Sequence, residues 1–399
     1  MSALRRHPGR RALDLVRGVA HLPGSLLLCC LLLIATSVVT LRSASLGPGG
    51  ELLPFAARQL QWAVPAVLAF LGAALVPYNR LTRRSGVLFA LALLTLVLVV
   101  LVGTKVNGAR SWFSFGSVRI QPSEFSKHAL LLLLARTLAR QGDRIRTWRG
   151  LGEVGLLTAL PVGLIMLQPD LGTALTFVPL VGAPVLVAGA RLRHLAALGA
   201  LALSALPVAW LFFLREYQKL RILAFLDAGA HASGTAYQTQ QSLVAIGSGG
   251  LTGRGFCEGA HGALGFLPER HTDFVFGVVG EDFGLIGGML VLGLYGWLFA
   301  ELGRIAHAAR DPEGRFIATG VLALTVCQVG INAGMALGLT PVTGLTLPLM
   351  SYGGSSLVAS MLGFGLAASV ALHRTRVLAP VPAAVCTSPS VLFPLGRVR

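Results

Sequence analysis

From Phe316 to His373 the chain contains no Asp, Glu, Lys or Arg. Crossing a bilayer as a helix takes roughly 20 mostly apolar residues, so this stretch is read as two transmembrane helices joined at a polar turn around residues 339–356. The same signal recurs upstream. Uncharged runs at residues 22–41, 59–79, 85–104, 171–190 and 194–214 are each long enough to span. Residues 123–139, 154–169 and 283–300, the last extended outward by 274–282, add spans that charges interrupt or flank. Only 12% of residues are charged and 54% are hydrophobic, against about 25% charged in soluble domains, which excludes a soluble globule. The expected fold is all-α: a polytopic membrane protein with about ten transmembrane helices.

An even number of spans puts both termini on one side, and the basic residues choose it. With the N-terminus in the cytoplasm, 22 of the 33 Lys and Arg fall in inner segments and 11 in outer ones, in line with the positive-inside rule. The net charge of +17 then reads as anchoring to anionic lipid of the cytoplasmic leaflet. Nucleic-acid binding is disfavoured, because the arginines lie in short loops and form no continuous patch. Residues 1–21 are expected to be a basic cytoplasmic N-terminus leading into an uncleaved first helix. Residues 22–374 form one membrane domain, with one long extracytoplasmic loop, about 215–272, between spans 7 and 8. Residues 375–399, with four prolines, are expected to be a flexible cytoplasmic tail. The five cysteines have no metal-ligand spacing and imply no disulfide framework.

Ionisable groups at a membrane border are costly and mark function. They concentrate in LPERHTDF (267–274), where Glu269, Arg270, His271 and Asp273 precede an apolar run. Asp273 is a candidate base, although Thr272 or Asp273 also suits a helix N-cap; His271 is either a proton shuttle or a partnered structural histidine. Glu281 and Asp282 follow inside the span and require protein or water beside them. Glu124 and Lys127 share a helix face, as a structural ion pair or as cavity groups. Asp170 in QPDLGT reads first as a helix cap. The glycine run 247–255 would let backbone amides approach an anion or would simply make a turn. Residues 237–246 have helical spacing suited to lying along the interface, and residues 105–121 interleave Lys105, Arg110 and Arg119 with Trp112, Phe113 and Phe115 as a headgroup-level belt.

The runs GARSWFSFG with RIQPSEFSK (108–127), QPDLGTA (168–174), AIGSGGLTGRGF (245–256), GFLPERHTDFVFGVVGEDFGLIG (265–287) and GLTPVTGLTLPLMSYGGSS (338–356) resemble the SEDS family, the shape, elongation, division and sporulation proteins. The Arg in PERHTDF and the Leu in QPDLGTA are more similar to its RodA branch, and GLTLP to its FtsW branch. The likeness runs from the second span to the tenth; EGAHGAL (258–264) departs from it.

That resemblance implies a peptidoglycan glycosyltransferase, polymerising lipid II into β-1,4 glycan strands with release of undecaprenyl pyrophosphate. It would serve cell elongation and shape, or division, at the outer face of the bacterial inner membrane, beside a class B penicillin-binding protein. By motif, the family's essential aspartate falls on Asp273 and its cavity lysine on Lys127, with Glu124 beside it. Arg110, Arg119, Asp170, Arg270, His271, Ser351 and Ser355 carry over as substrate-binding candidates. A divalent cation, Mg2+ or Mn2+, is implied by the family and not by any visible ligand set. One placed carboxylate suffices for such chemistry, since it takes the acceptor hydroxyl's proton in a single inverting displacement. Two other readings stay open: a lipid II flippase, which broken charged helices also suit, and a noncatalytic scaffold for the penicillin-binding protein, with Gly287-Gly288 and Gly363 to Gly365 as helix-packing sites.

Overall fold

The computed structural model describes residues 22–45, 53–106, 109–116, 118–227, 234–259 and 267–373. The expected basic N-terminus, the expected tail and residues 260–264 of EGAHGAL lie outside them. Ten long helices take up the expected spans: α1 (Gly24–Ala44), α2 (Phe55–Leu75), α4 (Ser85–Val102), α5 (Pro122–Gln141), α6 (Trp148–Leu167), α7 (Leu171–Val187), α8 (Leu192–Val208, prolonged by a π-helical turn at Ala209–Phe213), α11 (Val275–Ala308), α12 (Pro312–Ala336) and α13 (Gly354–His373). Shorter helices α3 (Tyr78–Arg83), α9 (Glu216–Leu226) and α10 (Thr235–Gly249) lie between them. Among the described residues, seven helices are long and apolar enough to cross a membrane by length and composition alone. Of the others, α7 is short, and Arg58 in α2 and Glu124, Lys127 and Arg136 in α5 make those helices more polar.

Caps fix several starts. Asp170 accepts from the Thr173 amide at α7, and Asp311 from the Gly314 amide at α12. Pro122 and Pro312 occupy the first helical turn, where no N–H is needed. At the centre, α13 lies along α2 so closely that a methyl on Gly365 would stand 2.4 Å from the Phe70 carbonyl oxygen, and it also presses on α5, where one on Gly363 would meet the His128 ring at 2.4 Å. The small residues Gly363 and Gly365, read above as a possible docking face, are therefore used inside the molecule, as small-residue packing between membrane helices requires. Helix α8 is the opposite case: none of its apolar window is buried in the protein.

The segment expected as a headgroup-level belt, residues 105–121, carries strands that its composition does not announce. They fold as an antiparallel meander, β1 (Thr104–Val106), β2 (Ala109–Phe115) and β3 (Val118–Ile120), with Phe113 opposite Ile120 and Phe115 opposite Val118. On β2, Ser111 is buried and its neighbour Arg110 is exposed, since successive strand residues point to opposite faces. A three-stranded sheet of this size pairs its own backbone groups locally, which an irregular loop over a membrane face does not.

Candidate active site

The segment 267–274 forms a tight turn at the head of α11, with Glu269 in the left-handed region (φ 49°). The cap reading of Thr272 or Asp273 fails: α11 starts after Phe274 with no side-chain cap, and Thr272 instead hydrogen-bonds Glu269. The turn is held from outside. The Tyr352 amide donates to the His271 carbonyl at 2.8 Å, the Ser351 hydroxyl to that of Thr272, and Asn332 Nδ2 to that of Asp273 at 2.9 Å. Three consecutive carbonyls are thus clipped, and the Asp273 side chain is aimed by its own backbone.

Two of the clips, from Ser351 and Tyr352, come from one element, and the third, from Asn332, comes from α12. Residues 338–353 fold back into the bundle between α12 and α13, burying Val342, Leu345, Leu347, Leu349 and Met350. Buried loop backbone needs internal partners, and polar side chains from four helices supply them. Ser37 of α1 donates to the Met350 carbonyl at 2.7 Å, Gln59 of α2 to that of Ser351 at 3.2 Å, Tyr295 of α11 to that of Pro348, and Asn332 of α12 to that of Leu345 at 2.7 Å. Gly172 at the head of α7 presses on the Thr343 carbonyl, where a methyl would stand 2.5 Å away.

Asp273 is half-buried as a residue, but burial of its carboxylate pushes the pKa up to about 7, helped by the negative charge of Glu269 and opposed by Arg221. A carboxyl poised near neutrality is suited to accept a proton. Its neighbour His271 stacks on Phe55 with ring centres 4.1 Å apart, and burial lowers its pKa, so its ring is neutral at pH 7. Arg270 is buried, and its Nε donates to the Ala44 carbonyl at the end of α1, 2.9 Å away. Ser351 is spent on the clip and on the Leu347 amide. Ser355 receives the Gln121 amide and donates to the Arg119 carbonyl, fastening β3 to α13.

Lys127 and Glu124 form a 2.8 Å ion pair, 1% and 9% exposed. With His128 they line a cavity of about 10 Å³ closed by Thr325 and Gln328 of α12 and Ser360 and Phe364 of α13. Gln328 lies one helical turn before Asn332, so the two share a face of α12 that runs from this cavity to the Asp273 turn. Asp170 combines its cap with a 3.1 Å bond from Gln121 Nε2, tying α7 to the start of α5. Arg110 and Arg119 are exposed on the meander. Sequence reading missed Arg221 and Asn332: both are ordinary residues in their own segments and acquire meaning only from what the fold sets beside them.

The glycine run 247–255 makes a turn with positive φ at Gly250, Gly253 and Gly255. It straps α11 where that helix breaks at Gly284 (φ 63°). In a continuous helix the amides of Leu285 and Ile286 would reach the carbonyls of Glu281 and Asp282. Here they reach Gly250 and Leu251 instead, while the amides of Arg254 and Gly255 take the carbonyls of Glu281 and Asp282 at 3.0 and 3.1 Å. The approach leaves no room for a side chain: a methyl on Gly253 would stand 2.1 Å from the Asp282 carbonyl oxygen. Helix α10, expected along the interface, packs on α11 and donates from Ser242 to the Ala336 carbonyl at 2.9 Å. Glu281 and Asp282 lie buried beneath the strap. Among the described residues no three His, Cys, Asp or Glu side chains converge to hold a metal ion.

Residues 24–376 match the FtsW, RodA and SpoVE family, described as cell cycle proteins. The chain is 36% identical over 355 residues to peptidoglycan glycosyltransferase MrdB of Escherichia coli strain K12, covering 89% of this chain and 94% of that one. A chain in a structure described as a peptidoglycan synthase complex coordinating polymerization and crosslinking is 36% identical, with a TM-score of 0.77 over 88% of this chain and 98% of that one. The rod shape determining protein RodA of Thermus thermophilus is 35% identical, with a TM-score of 0.66 over 88% and 97%. A match of this length, across the turn, the strap and the inward loop alike, makes the chain a member of the FtsW, RodA and SpoVE family.

Proposed function

We propose that this protein is a peptidoglycan glycosyltransferase that polymerises lipid II, and that Asp273 is its base. The single observation that carries the reading is the Asp273 turn, a carboxyl with a pKa near 7 whose backbone is clipped at three consecutive carbonyls. Asp273 takes the proton of the acceptor sugar hydroxyl as that oxygen attacks the anomeric carbon of the lipid-linked donor. The bond to the diphosphate breaks in the same displacement, so the α-linked sugar becomes β-linked. The departing diphosphate needs countercharge, which the exposed Arg110 and Arg119 supply from the meander. Lys127, paired with Glu124, supplies positive charge deeper in the bundle. A lipid-linked donor must enter from the side, and the isolation of α8 from the bundle suits that route.

The bases for location are the charge distribution and the multi-pass fold: the bacterial cytoplasmic membrane, both termini inside, the Asp273 face outside, and anionic lipid on the inner leaflet. A class B penicillin-binding protein is the proposed partner, by likeness to the peptidoglycan synthase complex. A divalent cation belongs to the proposal only as a companion of the diphosphate; polymer yield after thorough chelation tests it. Glu281 and Asp282 in a broken helix favour the flippase reading, and polymerisation of lipid II in detergent, where no leaflet exists, decides against it.

The deciding experiment is glycan synthesis from lipid II by the purified protein with its partner, wild type against Asp273→Asn at matched folding. Product from wild type alone is expected. Equal product from both removes Asp273 as the base.

A further inference from the structure

Helix α9 reaches the site from the long segment after α8. Tyr217 anchors it by donating to the Pro169 carbonyl of the QPDLGT turn at 2.5 Å. One turn on, the Arg221 guanidinium passes over the Tyr217 ring, 5.7 Å from its centre. It ends opposite Asp273 across Gly344: a methyl placed on Gly344 would stand 3.7 Å from Arg221 Nη1 and 3.8 Å from Asp273 Oδ2. Gly344 has φ 77°, so this backbone favours glycine and the space between cation and carboxylate stays open.

Resting on the polymerase reading, we propose that Arg221 is a positioning residue of the Asp273 site, holding the carboxylate in its proton-accepting form against the opposing charge of Glu269 on the same turn. The other elements around Asp273 contribute little competing charge. Residues 338–353 contain no Asp, Glu, Lys or Arg, and α12 presents Asn332. On the turn itself His271 is neutral and Arg270 is directed to Ala44. Asp170, at the head of α7, is bonded to Thr173 and Gln121. On α9, Lys219 is paired with Glu216 at 2.9 Å and Arg215 is exposed. Arg221 and Glu269 are therefore the pair that sets the balance, and they act in opposite directions.

The experiment is the pH profile of kcat for lipid II polymerisation by the complex with its partner, for wild type, Arg221→Gln, Arg221→Lys and Glu269→Gln. The acidic limb reports the base in the substrate complex. Losing an adjacent opposite charge raises a carboxyl pKa by about one unit or more. Arg221→Gln is expected to move the limb up by about one unit, costing about tenfold on the acidic side and less than about twofold on the alkaline side. Arg221→Lys keeps the wild-type limb, and Glu269→Gln moves it down. If Arg221→Gln does not fold, the downward shift of Glu269→Gln and the wild-type limb of Arg221→Lys still test the balance. A pH-independent loss, or limbs that stay in place, overturns the proposal. Wild-type rates from Asp273→Asn would instead remove Asp273 as the base, and absence of polymer from the wild-type complex would overturn the polymerase reading on which the proposal rests.

Discussion

A carboxyl whose folded pKa is raised makes the fold most stable when protonated. For Asp273 the folded value is about 7 and the unfolded one about 4, so stability increases as pH falls through that window. With Asp273 in its proposed role as base, activity runs the other way, because a base must be ionised. Asp273→Asn should therefore raise the melting temperature at pH 8, with the gain fading toward pH 4, while abolishing polymerisation throughout; a calorimetric pH series checks it. Lys127→Met leaves Glu124 charged and unpaired in the bundle, which costs about 3–5 kcal/mol. The double variant with Glu124→Gln should recover most of that. Thermal unfolding separates this structural cost from catalysis: a stable double variant with normal polymer yield would take Lys127 out of the mechanism. Asp273, Glu124 and Lys127 were legible in the sequence because an ionisable group beside apolar residues stands out. Arg221 and Asn332 were not, because their partners lie 52 and 59 residues away along the chain.

Elements were legible where composition alone dictates them and obscure where pairing does. Long apolar runs gave helix positions within a few residues, and the single uncharged stretch from Phe316 resolved into α12, the inward loop and α13. The meander at residues 104–120 was hidden because three short strands carry no periodic signal once aromatics and cations are taken for interfacial anchors. The strap was hidden for another reason. Gly249 and Gly253 are dictated by the carbonyls of a helix that follows in the sequence. Gly253→Val should accordingly prevent α11 from closing on residues 249–255, with loss of monodisperse protein in detergent and not merely of activity. Fluorescence-detected size exclusion would read it, and a well-folded Gly253→Val would show that the strap is dispensable.

For the whole molecule, ten helices and a loop folded back among them leave one face bearing the Asp273 turn, the meander, α9 and the strap. Its proposed exterior position has a direct check. In a variant lacking the native cysteines, Thr252→Cys should react with a membrane-impermeant thiol reagent in intact spheroplasts, and Arg144→Cys should react only after lysis. The reverse pattern would invert the topology and place the site in the cytoplasm. The strap also constrains how such a molecule is made. Residues 249–255 leave the ribosome before α11, and in the proposed topology they must already be across the membrane when that helix arrives, because its broken middle takes its hydrogen bonds from them. Correct insertion of the eighth span is thus tied to prior export of a soluble stretch, and a stall between the two would leave a polar gap inside the bilayer.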